Sequence, residues 1–436
     1  MDTTRSTGTR SAASTDRLAI SFWIWALWDT ARDGFFRDLE ARMAELVERG
    51  FNCIRLEGGA CLTHDEHGCP RGELAFLEAV PGHGAHVRQM ERMRAGRCDL
   101  RQRLFELCAL AQRYQVKLIL SSWYFLHTFW FTDPQVTAEL LGLPPERCHR
   151  RFAEGLDWLL QDLEQRGLAD VIAFAEIFNE ADGLSFVGGF GEKTDPQPTL
   201  QRFRAWHEEA LAFLADRHPG TRFALDTYTP HTQADLAPRN AQVWNFHSYF
   251  LWGVYGVLEE CLWGGADLDD PKAYAPVRRF LRPQVVPFRT IVDSRADRPP
   301  MAADWYRRIW LYGNLNPAAL PEIEQLLQAN LERHAAAYAR QAEDGLNQAL
   351  AFRDRHFPGI PLVMGEGMSY CADNRLRWEE RSDLYWELVE QAVRSARDKG
   401  LLGCVARTNS GPEDPVWWEY PERLQRVNAI FRGQLP

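Results

Sequence analysis

The sequence predicts a closed (β/α)₈ barrel, the TIM-barrel architecture, with long insertions after strands two and six. Three observations carry that expectation. Short apolar runs alternate with longer amphipathic stretches along the chain, eight such runs can be counted, and no Gly-rich turn follows the first of them. Strands apolar on both faces, each followed by a helix, imply a parallel sheet covered by helices, and eight repeats fit closure better than an open sheet. An open dinucleotide-binding sheet would show a Gly-rich first turn.

The strands are expected at 18–25, 51–57, 116–122, 171–178, 222–227, 242–248, 361–365 and 402–407. Helices are expected at 35–49, 99–114, 146–166, 199–217, 321–356, 378–399 and 420–431, with a weak one at 232–239. Asp99 with Gln102 three residues on is a capping-box pattern opening the second helix. Residues 1–16 are rich in Ser, Thr and Arg and read as a flexible arm, leaving 17–436 as a single barrel domain. The stretches 58–98 and 249–320 are too long for plain connections. Both follow a strand, so both should rise over the C-terminal face, as cleft walls, a lid or surface decoration.

Of the 436 residues 45% are hydrophobic and 25% charged, enough for a large core, so global disorder is excluded. The net charge is −10 without a basic block, which argues against a nucleic-acid partner. The apolar run LAISFWIWALW (18–28) lies behind Arg5, Arg10 and Arg17 but lacks a small-residue cleavage site and leads directly into charged sequence. It is also too short to span a bilayer. Nine scattered cysteines, an odd number, suggest a reduced compartment. The expectation is a cytoplasmic protein with no membrane partner and an unassigned oligomeric state.

Two strand ends carry the chemistry. The fourth runs into Asn179-Glu180, and the seventh into Glu366 between Gly365 and Gly367. A carboxyl at such a lip is partly shielded from water, which raises its pKa towards what a general acid needs. Two carboxyls facing one another across a barrel mouth are what glycoside cleavage requires. Glu176 shares parity with Glu180 and is expected inside the barrel as a structural partner.

These residues resemble glycoside hydrolase clan A and, within it, the cellulase-like family 5. The resemblance rests on Asn179-Glu180, Glu366, Arg55 at the end of strand two, and His247-Ser248-Tyr249 at strand six, and runs from about residue 18 to 431. It implies Glu180 as acid/base and Glu366 as nucleophile, with Arg55 and Tyr249 favouring the anionic nucleophile. Asn179 would bond a sugar 2-hydroxyl. The alternatives are a barrel salt bridge from Arg55 to Glu57 or Glu176, and a satisfied core histidine at 247. The chain departs from the family at Ser121-Ser122-Trp123-Tyr124, where an Asp-x-His is usual, and at Arg407-Thr408-Asn409, where a Trp is usual. Trp417 or Trp418 would have to reach back to supply that Trp.

The sequence holds 16 Trp. Trp28 and Trp123 are taken as sugar-stacking residues, ahead of Trp25, Tyr124, Trp130 and Trp252. Cys61, His64, His67 and Cys69 have zinc-binding chemistry, but their spacing matches no usual structural zinc pattern. No metal or cofactor is expected. The reading is therefore a glycosidase that hydrolyses a β-linked carbohydrate or glycoside by retaining double displacement. A catalytically silent carbohydrate-binding barrel is the alternative, and a metal-dependent hydrolase using the Cys/His loop a third.

Overall fold

The computed structural model describes residues 17–30, 34–77, 95–123, 132–182, 196–230, 234–262, 266–294, 303–369 and 373–436. The arm 1–16, Tyr124 and Trp130 lie outside them. Eight parallel strands close on themselves: β1 (Leu18–Phe22), β2 (Cys53–Glu57), β3 (Lys117–Ser121), β4 (Ile172–Glu176), β5 (Phe223–Thr227), β6 (Val243–Ser248), β7 (Leu362–Gly367) and β8 (Gly403–Cys404). Each expected strand is present, and the fold is the (β/α)₈ barrel. The first and last are shorter than expected. After Phe22 the chain turns into the 3₁₀ segment Ala26–Trp28, and β8 pairs over two residues before Arg407 reaches out to Glu379 and Glu380.

The outer layer is formed by α1 (Leu39–Glu48), α2 (Leu100–Tyr114), α3 (Pro145–Gln165), α4 (Pro196–Arg217), α5 (Ala303–Asn314), α6 (Leu320–His356), α7 (Asp383–Asp398) and α8 (Pro421–Phe431). Asp99 caps α2 by accepting the Gln102 amide at 3.0 Å, which satisfies one orphan donor of the first turn. The helix expected over 378–399 breaks in two, because Ser382 leaves helical geometry to cap α7 through the Tyr385 amide. The weak helix expected at 232–239 is a turn over the described residues 234–237.

The insertion after β2 carries the turn Ala60–Thr63 and an antiparallel pair, Leu74–Phe76 with Gly96–Cys98. The one after β6 carries short helical turns and α5 before α6 begins. Among the described residues, no helix is long and apolar enough to cross a membrane.

Inside the barrel, side chains of alternate residues stack in layers. The lower layers are apolar: Leu18, Ile20, Cys53, Ile119, Phe174, Ala224, Val243, Val363 and Val405 form one buried cluster. Two residues further along five strands the same inward parity carries Arg55, Ser121, Glu176, Asp226 and Asn245, all buried. The barrel thus changes from hydrocarbon to charge at one height, just below its C-terminal mouth.

Candidate active site

Arg55 is the hub of the charged layer. Its guanidinium is fully buried and donates to Glu366 Oε1 at 2.6 Å, Asn179 Oδ1 at 2.8 Å, Glu176 Oε2 at 2.9 Å and Asp226 Oδ2 at 3.0 Å. It is therefore at once the partner of Glu366 and the barrel bridge to Glu176. Glu57 is used otherwise, accepting the backbone amides of Gly59 and Trp123. Burial opposes the charged guanidinium, but Glu176, Asp226 and Glu366 outweigh it and raise its pKa above the ordinary value.

Glu366 reaches the barrel interior through an irregularity in β7. Pairing with β6 runs Phe246 with Met364 and then His247 with Glu366, so Gly365 is an extra residue. With regular alternation from Val363, position 366 would face the helices. The bulge turns it inward. Gly365 is required there, since a Cβ would fall 2.2 Å from Asn245 Oδ1. Asn245 is itself held by a 2.6 Å bond to Glu176 Oε1. The Tyr249 hydroxyl donates to Glu366 Oε2, so both carboxylate oxygens of Glu366 have a donor.

Glu180 follows β4 in the left-handed region, φ 52°. That conformation is costly for a residue with a Cβ and is held by its neighbours. The Glu180 amide donates to Asp226 Oδ1 at 2.5 Å, while the amides on either side bond Ser122 and Asp226 carbonyls. Its carboxyl is hydrogen-bonded to His247 Nδ1 at 2.9 Å. Burial, opposed by His247 and assisted by Glu366 and Asp226, pushes the Glu180 pKa up to about 7. Carboxyl oxygens of Glu180 and Glu366 lie within 4.8 Å of each other and of a His247 ring nitrogen.

The same three side chains come close enough to surround a cation. The His247 ring, however, has Glu180 on one nitrogen and Asp226 on the other at 3.2 Å. Burial resists its charge, yet Asp226 and Glu366 raise its pKa well above the usual imidazole value. The Cys61, His64, His67 and Cys69 loop does not converge: Cys61 bonds the Arg151 carbonyl, His64 pairs with Asp162 at 3.0 Å, and His67 and Cys69 face outwards.

A family model described as sugar-binding cellulase-like matches residues 19–260, more than half of the 436-residue chain. The chain belongs to this family. Among solved structures, the cellulase-like barrel is similar to a candidate glycoside hydrolase from Parabacteroides distasonis, 16% identical over 95% of this chain and 93% of that one, with a TM-score of 0.66. It is also similar to a broad-specificity endoglucanase of glycoside hydrolase family 5 from an uncultured bacterium, 10% identical over 96% and 94% of the two chains, with a TM-score of 0.51. A tri-modular family 5 endo-β-1,4-glucanase from Bacillus licheniformis gives 11% identity over 96% of this chain and 60% of that one, with a TM-score of 0.50. At such identities the likeness is one of fold. No curated protein matches the chain in sequence.

Within this cellulase-like barrel Arg55, Asn179, Glu180, His247, Tyr249 and Glu366 come together. Trp28 and Trp123 do not offer the open faces expected of them. Trp28 is 5% exposed and packs between Trp25 and Phe76; Trp123 is 1% exposed, with the Arg55 guanidinium 4.6 Å above its ring. Trp123 is thus a support for the charged layer. Neither Trp417 nor Trp418 reaches back to the mouth: Trp417 stacks on Phe51 below β2, and Trp418 lies under Arg42 on the surface. At the departure after β8, the Thr408 hydroxyl clasps the amide and carbonyl of Gly367, bracing the end of β7. Asp226 and Asn245 escaped the sequence reading. The available signal was parity, since both sit at inward positions two residues beyond a small or β-branched interior residue.

Proposed function

We propose that this protein is a glycosidase cleaving a β-linked glycoside with retention, Glu366 acting as nucleophile and Glu180 as acid/base, without a cofactor. The observation that carries the reading is the carboxyl pair, within 4.8 Å yet in opposite surroundings. Retaining enzymes need carboxyls about 5–5.5 Å apart for direct attack, whereas inverting ones need roughly 6.5–9.5 Å to admit a water. Arg55 and Tyr249 fix both oxygens of Glu366 and hold its negative charge for attack on the anomeric carbon. Glu180, with a pKa near 7, keeps its proton long enough to pass it to the leaving oxygen. Once Glu366 is esterified its charge is gone, the pKa of Glu180 drops, and Glu180 can deprotonate the incoming water. Asn179, with Oδ1 held by Arg55, keeps Nδ2 for a sugar hydroxyl.

The test is a panel of aryl β-glycosides. Glu366→Gln should lose several orders of magnitude in turnover, and Glu180→Ala should cripple poor leaving groups while sparing the first step for nitrophenolates. The first product seen by NMR should be the β anomer. The family description, sugar-binding, favours a second reading, a silent sugar-binding barrel. It predicts no turnover on any member of the panel, with sugar binding unchanged in Glu366→Gln.

A further inference from the structure

A second buried charged cluster gathers around Arg407, just past β8. Its guanidinium donates through Nε and Nη2 to Glu379 Oε2 at 3.0 and 2.8 Å, and through Nη2 to Glu380 Oε1 at 2.8 Å. Both carboxylates belong to the turn Trp378–Arg381, and all three side chains are buried. From the insertion after β6, the Tyr255 hydroxyl donates to Glu379 Oε1 and accepts Trp378 Nε1 at 3.2 Å. Such a network is a poor source of stability, because desolvation consumes most of what the pairing gains. Its position gives it another use.

The contacts converge on the three residues that follow Glu366. Ser369 Oγ donates to Glu379 Oε2 at 3.1 Å and is bonded to the Tyr385 hydroxyl at 2.7 Å. The Met368 carbonyl accepts the Leu251 amide at 2.9 Å. Gly367 has no side chain with which to anchor itself. Its amide and its carbonyl both go to one hydroxyl, Thr408 Oγ1, at 2.9 Å each. That hydroxyl accepts with a lone pair and donates its single proton, so it is fully used by this one glycine. Thr408 is buried and follows Arg407 directly in the chain. Glu366 is therefore flanked by the bulge at Gly365 on one side and by the Thr408 clasp on the other.

We propose that Thr408, held in place by Arg407 and its two carboxylates, is a positioning residue that sets the Glu366 carboxylate for attack. Arg55 and Tyr249 hold the oxygens of that carboxylate; Thr408 holds the backbone from which the side chain springs. A reacting atom misplaced by about 1 Å can cost about 100-fold in rate, so the clasp has leverage on the chemistry. The inference rests on the glycosidase reading of Glu366, and its test separates the two.

Thr408→Val keeps the shape of the side chain and removes the hydroxyl. On aryl β-glycosides kcat/KM should fall about 30-fold. The factor should be the same for nitrophenolates and for poor leaving groups, because both require attack by Glu366. The loss should lie in kcat, with KM within about twofold of wild type. Thr408→Ser restores the hydroxyl and should bring kcat back to within about threefold. Ser369→Ala cuts only the tie to Glu379 and Tyr385, and should show the same leaving-group pattern at about fivefold; it carries the test if Thr408→Val does not fold. A purely structural Thr408 would lower the urea midpoint and leave kcat of the folded protein unchanged, which overturns the proposal. So does a loss confined to poor leaving groups, since that belongs to Glu180. If wild type turns over no glycoside, the glycosidase reading fails alone, and crystal structures of the two Thr408 variants decide the positioning role. A Glu366 carboxylate displaced from Arg55 by about 1 Å or more in Thr408→Val, but in place in Thr408→Ser, keeps it. An unmoved Glu366 in both overturns it.

Discussion

Gly365→Ala isolates the step that turns Glu366 into the barrel. The added Cβ would lie 2.2 Å from Oδ1 and 2.3 Å from Nδ2 of Asn245, far inside contact distance. Asn245 is fully buried and bonded to Glu176, so it cannot swing away freely. Either the bulge reopens and withdraws Glu366 from Arg55, or Asn245 moves and leaves Glu176 without that donor. Overpacking costs about 1–3 kcal/mol, and a buried polar group losing its partner costs about 1–3 kcal/mol more. The expected destabilisation is therefore about 2–6 kcal/mol, read as a lowered urea midpoint at unchanged m-value. Asn245→Ala removes the clashing atoms, so Asn245→Ala/Gly365→Ala should be little worse than Asn245→Ala alone, a coupling of about 2 kcal/mol. Strictly additive costs, or a Gly365→Ala protein within about 0.5 kcal/mol of wild type, would refute this account of the bulge.

Three further outcomes follow from the same geometry. Because Glu180 must be protonated to act as acid and its pKa is about 7, kcat/KM on substrates with poor leaving groups should fall tenfold per pH unit above about 7; an alkaline limb unchanged in Glu180→Ala would count against it. Asp226→Asn removes the negative charge and turns one of the two acceptor oxygens into a donor, so the Glu180 amide and His247 can no longer both be satisfied, while Arg55 keeps Glu366, Asn179 and Glu176; kcat/KM should fall about 100-fold, some 2.7 kcal/mol, for poor leaving groups but much less for dinitrophenyl glycosides. Equal losses would place the effect on Glu366 instead. His207, buried among Phe178, Phe203 and His149, has its pKa pushed down to about 3 by burial, so the unfolded chain binds its proton first as pH falls below about 6.5. Stability present above that pH is lost on acidification, by about 2 kcal/mol at pH 5, and His207→Leu should remove that share; identical pH dependence of the two urea midpoints would be the contrary result.

The parts legible in the sequence are those written in local pattern. Eight apolar runs appear where periodicity put them, because a parallel barrel buries both faces of each strand. Asn179-Glu180, Arg55 and His247-Ser248-Tyr249 could be placed because each ends a strand whose direction fixes which mouth it faces. The rest depends on pairing between strands. The inward turn of Glu366 rests on one unpaired glycine, which alternation alone would read the other way. Asp226 becomes a hub only when β2, β4 and β6 bring Arg55, Glu180 and His247 to it. Trp123 was judged by residue type, and type does not tell an open indole from one lying beneath a guanidinium. The break at Ser382 shows the same limit, since one hydroxyl decides whether a long amphipathic stretch is one helix or two.

The charged layer also bears on the choice between enzyme and silent barrel. Burying Arg55 with Glu176, Asp226 and Glu366 is no efficient route to stability, since desolvation consumes most of what such a network gains. The lower layers show that this barrel can be filled with hydrocarbon at the same strand positions two residues earlier. The change from Cys53 to Arg55, from Phe174 to Glu176 and from Ala224 to Asp226 occurs at one height, directly beneath the mouth. Holding a neutral sugar calls only for donors and acceptors at that mouth. It does not call for one carboxyl pinned by a guanidinium and a phenol within 4.8 Å of another pushed up to about 7. That asymmetry has a use in moving a proton and attacking a carbon, and it favours the catalytic reading over the binding one.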